Sequence, residues 1–376
     1  MRIAVLARRF NPGGGGTERD LVAAVEFLQA SGHRLHIYAA RRASPRWRGI
    51  EVSRLPAAAL GSRTLEVLGF GLLAARAARA GGAELTLSFG RAIGADLIRC
   101  EGGAHRSYLQ AARQWDSRGQ SVLRALSPYH RAQCLMDAGA FHSPRLGAVA
   151  AISRLVANDL QRCFSLDPGR LTPVYNGVDL DRFQPATAKR RREVRAALQL
   201  DPDSKVAIFV GSGFARKGMG CLLDAWPLIA SQTVLVVVGA DRRAGNFQAR
   251  ARALGIASRL RWLGPRQDVP DLLAAADVLV LPSLFEAFGN VALEAMAAGL
   301  PVLLSAQCGA TEVLPATWQE FVVPDPRQPE ELARRLSGLL AVAPELRADA
   351  RLTAERFTWQ RYGEQLAALF DKSTKS

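Results

Sequence analysis

The sequence predicts an α/β protein of two domains, each a doubly wound parallel sheet with helices on both faces. Two observations carry that expectation. The chain has 376 residues, more than a single hydrophobic core ordinarily spans. Short continuous apolar runs, such as KVAIFVG from Lys205 to Gly211 and VLVLP from Val278 to Pro282, alternate with stretches of helical period; this is the pattern of strands buried on both faces. The charge is also divided. Residues 1–200 carry 30 Lys+Arg against 15 Asp+Glu and residues 201–376 carry 19 of each, so the whole net charge of +15 lies in the first half.

Such an asymmetry bears on partners rather than fold. It suits a first half that faces something anionic: a membrane leaflet, a phosphorylated glycolipid or a nucleic acid. The plain alternative is an arginine-rich composition with no single partner. No recognition-helix or RNA-binding motif is present, which disfavours nucleic acid. No run of 18 apolar residues occurs, so no transmembrane helix is expected. The apolar run Ile3–Ala7 is too short for a signal peptide and suits a first strand. The five cysteines, Cys100, Cys134, Cys163, Cys221 and Cys308, are scattered without a CxxC pair. Zinc and disulfide frameworks are therefore not expected, and a reducing cytoplasm fits.

In chain order, Arg2–Ala7 is a strand, and Gly13–Gly16 forms a glycine loop before a helix from about Leu21 to Ser31. Four glycines at a strand–helix junction suit a backbone that approaches an anion closely. The dinucleotide fingerprint is not met, because no acidic residue ends the next strand, Leu35–Ala39; the Gly-Lys-Ser/Thr of a P-loop is missing as well. Residues 41–64 form a basic loop, with Trp47 among Arg42, Arg46 and Arg48, suited to a headgroup zone. A helix over Leu65–Ala80 and a strand over Leu85–Phe89 follow, then a loop from Gly90. His105 follows Gly102 and Gly103 and is placed to project into a cleft, although a lone histidine is more often structural. Residues 106–145 suggest helices with a basic face near Tyr108, Trp115 and Tyr129, a candidate surface for membrane or acceptor. Ala148–Ser153 is a further strand, and Asn176-Gly177 is a turn. Residues 184–204, with Lys189–Arg192 and Pro202, are expected to be a linker between domains 1–183 and 205–357.

In the second half, Arg216 and Lys217 sit on the loop after strand Lys205–Gly211, where open α/β sheets bind ligands. A diphosphate leaving group calls for positive charge there. Strands over Val234–Gly239 and Leu260–Gly264 and helices over Phe247–Leu254 and Val269–Ala275 come next. Strand 277–282 leads through a loop to a helix over Asn290–Ala298, closed by Gly299 and Pro301. The N–H groups at that helix start suit a phosphate. Glu286 in the loop and Glu294 in the second turn stand eight positions apart, and an ionised carboxylate there suits a ribose hydroxyl pair.

EAFGNVALEAMAAGLPV, beginning at Glu286, resembles the C-terminal signature of retaining GT-B glycosyltransferases of family four. VYNGVDLDRF, beginning at Val174, and RKG, beginning at Arg216, are similar to further segments of that family. Gly16-Thr-Glu-Arg-Asp20 is similar to the N-terminal loop of members that build the lipopolysaccharide core. The resemblance covers nearly the whole chain and is strongest over residues 205–315. It implies a GT-B fold: two Rossmann-like domains facing across a cleft, with a last helix, 358–376, crossing back to the first domain. It implies that Gly15, Gly16, Gly211, Arg216, Lys217, Val269, Glu286, Phe288, Gly289, Asn290, Val291 and Glu294 bind the donor, with backbone groups of Arg266–Val269 reading the base and the Cys308–Val313 loop near the donor. Asp20, Asp96 and Arg106 are implied on the acceptor side. Glu286, Lys217, Arg216, His105 and Asp20 are the implied catalytic set, with His105 on a hydroxyl of the transferred sugar. Gly102 departs from the family, where an aspartate stands in that neighbourhood.

The resemblance implies a UDP-sugar donor, UDP-glucose, with retention of configuration, no metal and no other cofactor. The expected acceptor is the heptose of the lipopolysaccharide inner core, reached by a peripheral protein on the cytoplasmic face of the inner membrane. Alternatives remain open: another nucleotide sugar or glycolipid acceptor, a GT-B nucleotide-sugar epimerase, or a surface-binding protein with no activity.

Overall fold

The first strand, β1, runs from Arg2 to Phe10, three residues beyond its apolar stretch, because Phe10 is buried against its neighbours. The computed structural model describes residues 1–12, 16–42, 44–56 and 61–370. Two units are distinguished: Met1–Gly177 with the stretch from Trp359, and Val178–Thr358.

The first unit continues with α1 (Gly16–Ala30), β2 (Arg34–Arg42), β3 (Arg46–Trp47), β4 (Ile50–Arg54), α2 (Arg63–Ala80), β5 (Leu85–Ser88) and β6 (Leu97–Cys100). Next come α3 (His105–Ala112), α4 (Arg118–Leu126), α5 (Pro128–Phe141), β7 (Ala148–Ala151), α6 (Arg154–Phe164) and β8 (Leu171–Pro173). The sheet order is β3-β4-β2-β1-β5-β6-β7-β8. Val5 of β1 pairs in parallel with Ile37 of β2 and with Leu87 of β5. The winding reverses between β1 and β5. At such a reversal the loops leaving the two strands diverge and open a crevice at the carboxyl end of the sheet.

One expectation changes here. The basic stretch 41–64 is not a free loop: β3 and β4 form an antiparallel hairpin, turned by Arg48 and Gly49 at positive φ (47° and 82°), as two-residue hairpin turns require. Trp47 packs edge-on against Phe10 at 5.5 Å with the Arg48 guanidinium over its ring. Its ring is half-covered by its own domain rather than offered to a headgroup.

The second unit holds α7 (Ala188–Ala197), β9 (Lys205–Val210), α8 (Met219–Ala225), β10 (Thr233–Val238), α9 (Ala244–Ala253), β11 (Leu260–Gly264) and α10 (Val269–Ala275). It continues with β12 (Val278–Leu281), α11 (Asn290–Ala297), β13 (Val302–Leu304), α12 (Pro329–Val342) and α13 (Arg347–Ala354). The order β11-β10-β9-β12-β13 is parallel throughout, and it reverses between β9 and β12. The loops after those two strands therefore lie at this sheet's ligand-binding end.

The stretch 184–204, expected as a linker, carries the helix α7 inside this unit. Thr187 caps it by accepting from the Arg190 N–H, and Arg191 and Arg195 reach Asp277 at 2.7 and 3.0 Å. Of the basic run in the expected linker, Arg191 thus joins Arg195 on the half-buried Asp277, and Arg190 pairs with Asp271 at 2.5 Å. The final helix, α14 (Trp359–Ala367), belongs to the first unit. Tyr362, Leu366, Leu369 and Phe370 join Ile3, Leu28 and Leu87 in one apolar cluster.

Candidate functional site

The second unit concentrates its chemistry on the β9 and β12 loops. Phe214 anchors the first loop: its ring is buried among Phe209, Phe247 and Trp262. Its N–H donates to Asp241 at 2.7 Å. That anchor fixes Arg216 and Lys217 two and three residues later. Gly211 leaves room for the Lys217 stem, because a Cβ there would stand 2.6 Å from Lys217 Cε. The two loops are tied together where the Leu284 N–H donates to the Arg216 carbonyl at 2.8 Å.

Glu286 is held by its backbone as well as its side chain. Its N–H donates to the Gln307 carbonyl, and its carbonyl accepts from Gly309, each at 3.0 Å. Its Oε2 accepts from Lys217 Nζ at 2.6 Å and Arg216 Nη1 at 2.9 Å. Burial alone would raise this carboxyl. The charges and hydrogen bonds of Lys217 and Arg216 outweigh burial and hold it below the usual carboxylate range. The result is an ionised acceptor flanked by two cations, with net positive charge left over. Behind it Cys308 donates its thiol to the Phe288 carbonyl at 3.0 Å; burial and the nearby Glu286 push that thiol up to about 12, so it stays protonated and packs as an apolar group.

Gly289 precedes α11, Asn290 is its first residue, and Glu294 lies half-buried in its second turn. Phe288 and Val291 were expected to bind donor, but their side chains are core, 1% and 8% exposed. Only their backbone can address a ligand. Val269 opens α10 beyond the end of β11, at the same carboxyl end of the parallel sheet as the β9 and β12 loops. Beside it Arg266 and Asp268 pair with each other at 2.6 Å.

The first unit treats its expected residues less uniformly. Gly15 lies outside the described residues, and Gly16 is the first residue of α1. Asp20 is wholly buried: it accepts from the Leu21 N–H at 2.8 Å and pairs with Arg99 at 3.5 Å. Arg99 also donates to the Val174 carbonyl and the Asn176 side chain and lies over the Tyr362 ring. Glu101 stands beside this network, and burial with the adjacent Asp20 carboxyl pushes it well above its ordinary range. Asp20 is therefore enclosed by its own domain in place of facing an acceptor. Asp96 is also corrected: it precedes β6, at the amino end of the strands, and is satisfied by Arg79 at 2.9 Å and by Thr86. The ligand end of the sheet is the opposite one. Arg106 donates to the Cys163 carbonyl and lies over Phe164, bracing α6.

His105 opens α3. Its N–H donates to Asp137 at 2.6 Å, and its Nε2 shares a hydrogen bond with His130 Nδ1 at 2.9 Å. Burial first, then the neighbouring His130 and the charges of Arg91 and Arg8, lower it to about 4 against the opposing pull of Asp137. His130 was not anticipated; 25 residues of sequence separate it from His105, and no helical spacing joins them. Arg99 and Glu101 were missed too, because a strand arginine and its following glutamate carry no motif.

Two Asp-x-Asp spacings occur, Asp179/Asp181 and Asp201/Asp203. Each first aspartate accepts from the backbone N–H of the second, an Asx-type turn. Among the described residues no group of three or more His, Cys, Asp or Glu is placed to hold a metal ion.

Residues 190–357 match the family described as Glycosyl transferases group 1, and residues 14–182 match Glycosyltransferase Family 4. A D-inositol 3-phosphate glycosyltransferase of Jonesia denitrificans is 32% identical over 246 residues, 60% of this chain and 57% of that protein. The chain thus spans less than two thirds of the curated relatives it matches. Among solved structures, WaaG, a glycosyltransferase involved in lipopolysaccharide biosynthesis, aligns with a TM-score of 0.80 at 24% identity, covering 98% of this chain and 99% of that one. Anabaena Alr3699/HepE in complex with UDP-glucose aligns with a TM-score of 0.73 at 18% identity, each chain 99% covered.

Proposed function

We propose that this chain, which has the GT-B fold of the group 1 and family 4 glycosyltransferases, transfers a hexose with retention from a nucleotide sugar to a phosphate-bearing polyhydroxy acceptor. The carrying observation is the trio Arg216, Lys217 and Glu286 on the two loops at the strand reversal. The donor is UDP-glucose, a ligand of the Anabaena neighbour. Its diphosphate lies on Arg216 and Lys217, which have N–H donors beyond those given, among the described residues, to Glu286 and the Phe285 carbonyl. The first turn of α11 adds backbone N–H groups. Glu286 accepts from sugar hydroxyls, and Glu294 from the ribose.

In the transfer, the bond between the anomeric carbon and the diphosphate oxygen breaks, and the acceptor oxygen bonds to that carbon on the same face. The hydroxyl proton passes to the leaving diphosphate. Arg216 and Lys217 stabilise the charge that develops there. No metal is required in this scheme; turnover unchanged by a chelator is the expected result. The epimerase alternative differs in consuming a UDP-sugar with no acceptor.

For the acceptor, the lipopolysaccharide heptose is supported by the likeness to WaaG and an inositol phosphate by the relatives' names. Association with an anionic membrane face is supported by α4. Val122, Leu123 and Leu126 of that helix are 57%, 71% and 66% exposed, and Arg118 at its start, Arg113 at the end of α3 and Arg131 of α5 are exposed as well, a mix of apolar and basic side chains suited to a headgroup layer. No helix among the described residues is long and apolar enough to cross a membrane.

The test is calorimetry with UDP-glucose, UDP-galactose, UDP-N-acetylglucosamine and ADP-glucose, without metal. Selective UDP-glucose binding, lost in Lys217→Ala, is expected. Full turnover by Lys217→Ala with either acceptor class would falsify the clamp.

A further inference from the structure

We infer that Arg8 and Arg41, gathered on Glu66, form an anion subsite on the first unit that takes a phosphate monoester of the acceptor. The inference rests on the reading of that unit as the acceptor side. Arg8 lies near the carboxyl end of β1 and Arg41 near the carboxyl end of the adjoining strand β2, where Arg9 and Arg41 are paired in register. Glu66 comes from the first turn of α2 and is nearly enclosed, its side chain 5% exposed.

The pairing is unequal. Arg41 Nε donates to Glu66 Oε2 at 2.6 Å while half of its side chain stays exposed. Arg8 Nε stands 3.9 Å from Glu66 Oε1, beyond hydrogen-bond range. That Nε–H is buried and has no acceptor among the described residues. A buried donor left unmade is costly, and guanidinium groups match phosphate oxygens better than any other side chain. Two cations against one carboxylate leave a positive charge. Strand twist and the start of α2 place it at the ligand end of the sheet, beside the β1/β5 reversal. An anion here completes the Arg8 hydrogen bonds and neutralises the excess charge. A purely structural ion pair would do neither.

A phosphate monoester can come from a soluble sugar or polyol phosphate, or from a lipid headgroup. The experiment separates them. Calorimetry is run with glucose 6-phosphate, glucose and inorganic phosphate, and flotation with phosphatidylcholine vesicles with and without phosphatidate. Wild-type protein is expected to bind the sugar phosphate over glucose. Arg41→Gln and the charge-balanced double variant Arg8→Gln/Glu66→Gln should weaken that binding about tenfold or more. The double variant removes no charge from the fold uncompensated, and far-UV circular dichroism verifies folding. Binding only to phosphatidate vesicles, lost in the same variants, assigns the phosphate to a lipid. UDP-glucose affinity should be unchanged in every variant, so a lost donor signal in the wild type marks failure of the transferase reading instead. Phosphate binding absent from the wild type, or indifferent to both variants, overturns the subsite.

Discussion

Lys217 Nζ lies 2.6 Å from Glu286 Oε2, and Arg216 Nη1 reaches the same oxygen at 2.9 Å. One carboxylate oxygen thus joins the loops after β9 and β12. Removing Lys217 leaves Glu286, 13% exposed, with half of its compensation. Breaking a buried pair by one partner is strongly destabilising, about 3–5 kcal/mol when burial is complete. Arg216 remains, so Lys217→Met should cost about 2 kcal/mol in urea unfolding. The double variant Lys217→Met/Glu286→Gln should recover most of that stability and none of the activity. Equal instability of single and double variants would show that Lys217 acts through packing rather than charge.

Gly218 makes a second demand on the same junction. Its φ is +78°, and a Cβ there would stand 1.8 Å from the Pro282 carbonyl oxygen, a rigid backbone atom at the end of β12. Gly218→Ala must therefore push the two loops apart. An unfolding penalty of about 2 kcal/mol or more is expected, with weaker UDP-glucose binding, because Lys217 precedes it directly. Unchanged melting temperature and donor affinity would show that the β9 loop does not set the site.

The buried carboxyl Glu101 gives a pH dependence with a definite sign. Burial and the adjacent Asp20 raise it in the folded state. The folded chain then holds a proton that the unfolded chain, near an ordinary carboxylate value of about 4.3, has released. Stability is full below that unfolded value and is lost as pH rises through the raised folded value. Glu101→Gln keeps the neutral shape without the titration. Thermal melts from pH 4 upward should decline for the wild type and run flatter for Glu101→Gln; parallel curves would remove Glu101 from the account.

The contrast between the two units shows what a sequence makes legible. In the second unit the chemistry lies in short segments, Gly211–Gly218 and Glu286–Glu294, each following a strand whose apolar run is unmistakable. Loop chemistry and strand order then determine the site together. In the first unit Asp20 meets Arg99, 79 residues away, and Arg8 and Arg41 meet Glu66 only because β1, β2 and the start of α2 share the carboxyl end of one sheet. No local pattern records such a meeting. Asp96 was implied on the acceptor side by resemblance alone, and it stands before its strand and not after it. The cations of α7 read as a linker because the acids they meet, Asp271 for Arg190 and Asp277 for Arg191 and Arg195, lie 81 to 86 residues further along the chain.

His105 carries a second pH dependence, because its charge state fixes which hydrogen bonds it can make. Burial leads the lowering to about 4, so the ring is neutral at pH 7 and can accept at one nitrogen while donating at the other. The unfolded imidazole, near 6.5, takes up its proton first as pH falls. Stability tied to this group is full above about 6.5 and is lost as pH falls toward 4. The ring's proton resonances should stay constant from pH 8 to 5 in the folded protein. His105→Gln keeps one polar group but does not titrate, so its acid unfolding midpoint should move to lower pH. A resonance titrating near 6.5 would mean that His105 is solvated and that its hydrogen bond with His130 does not hold it.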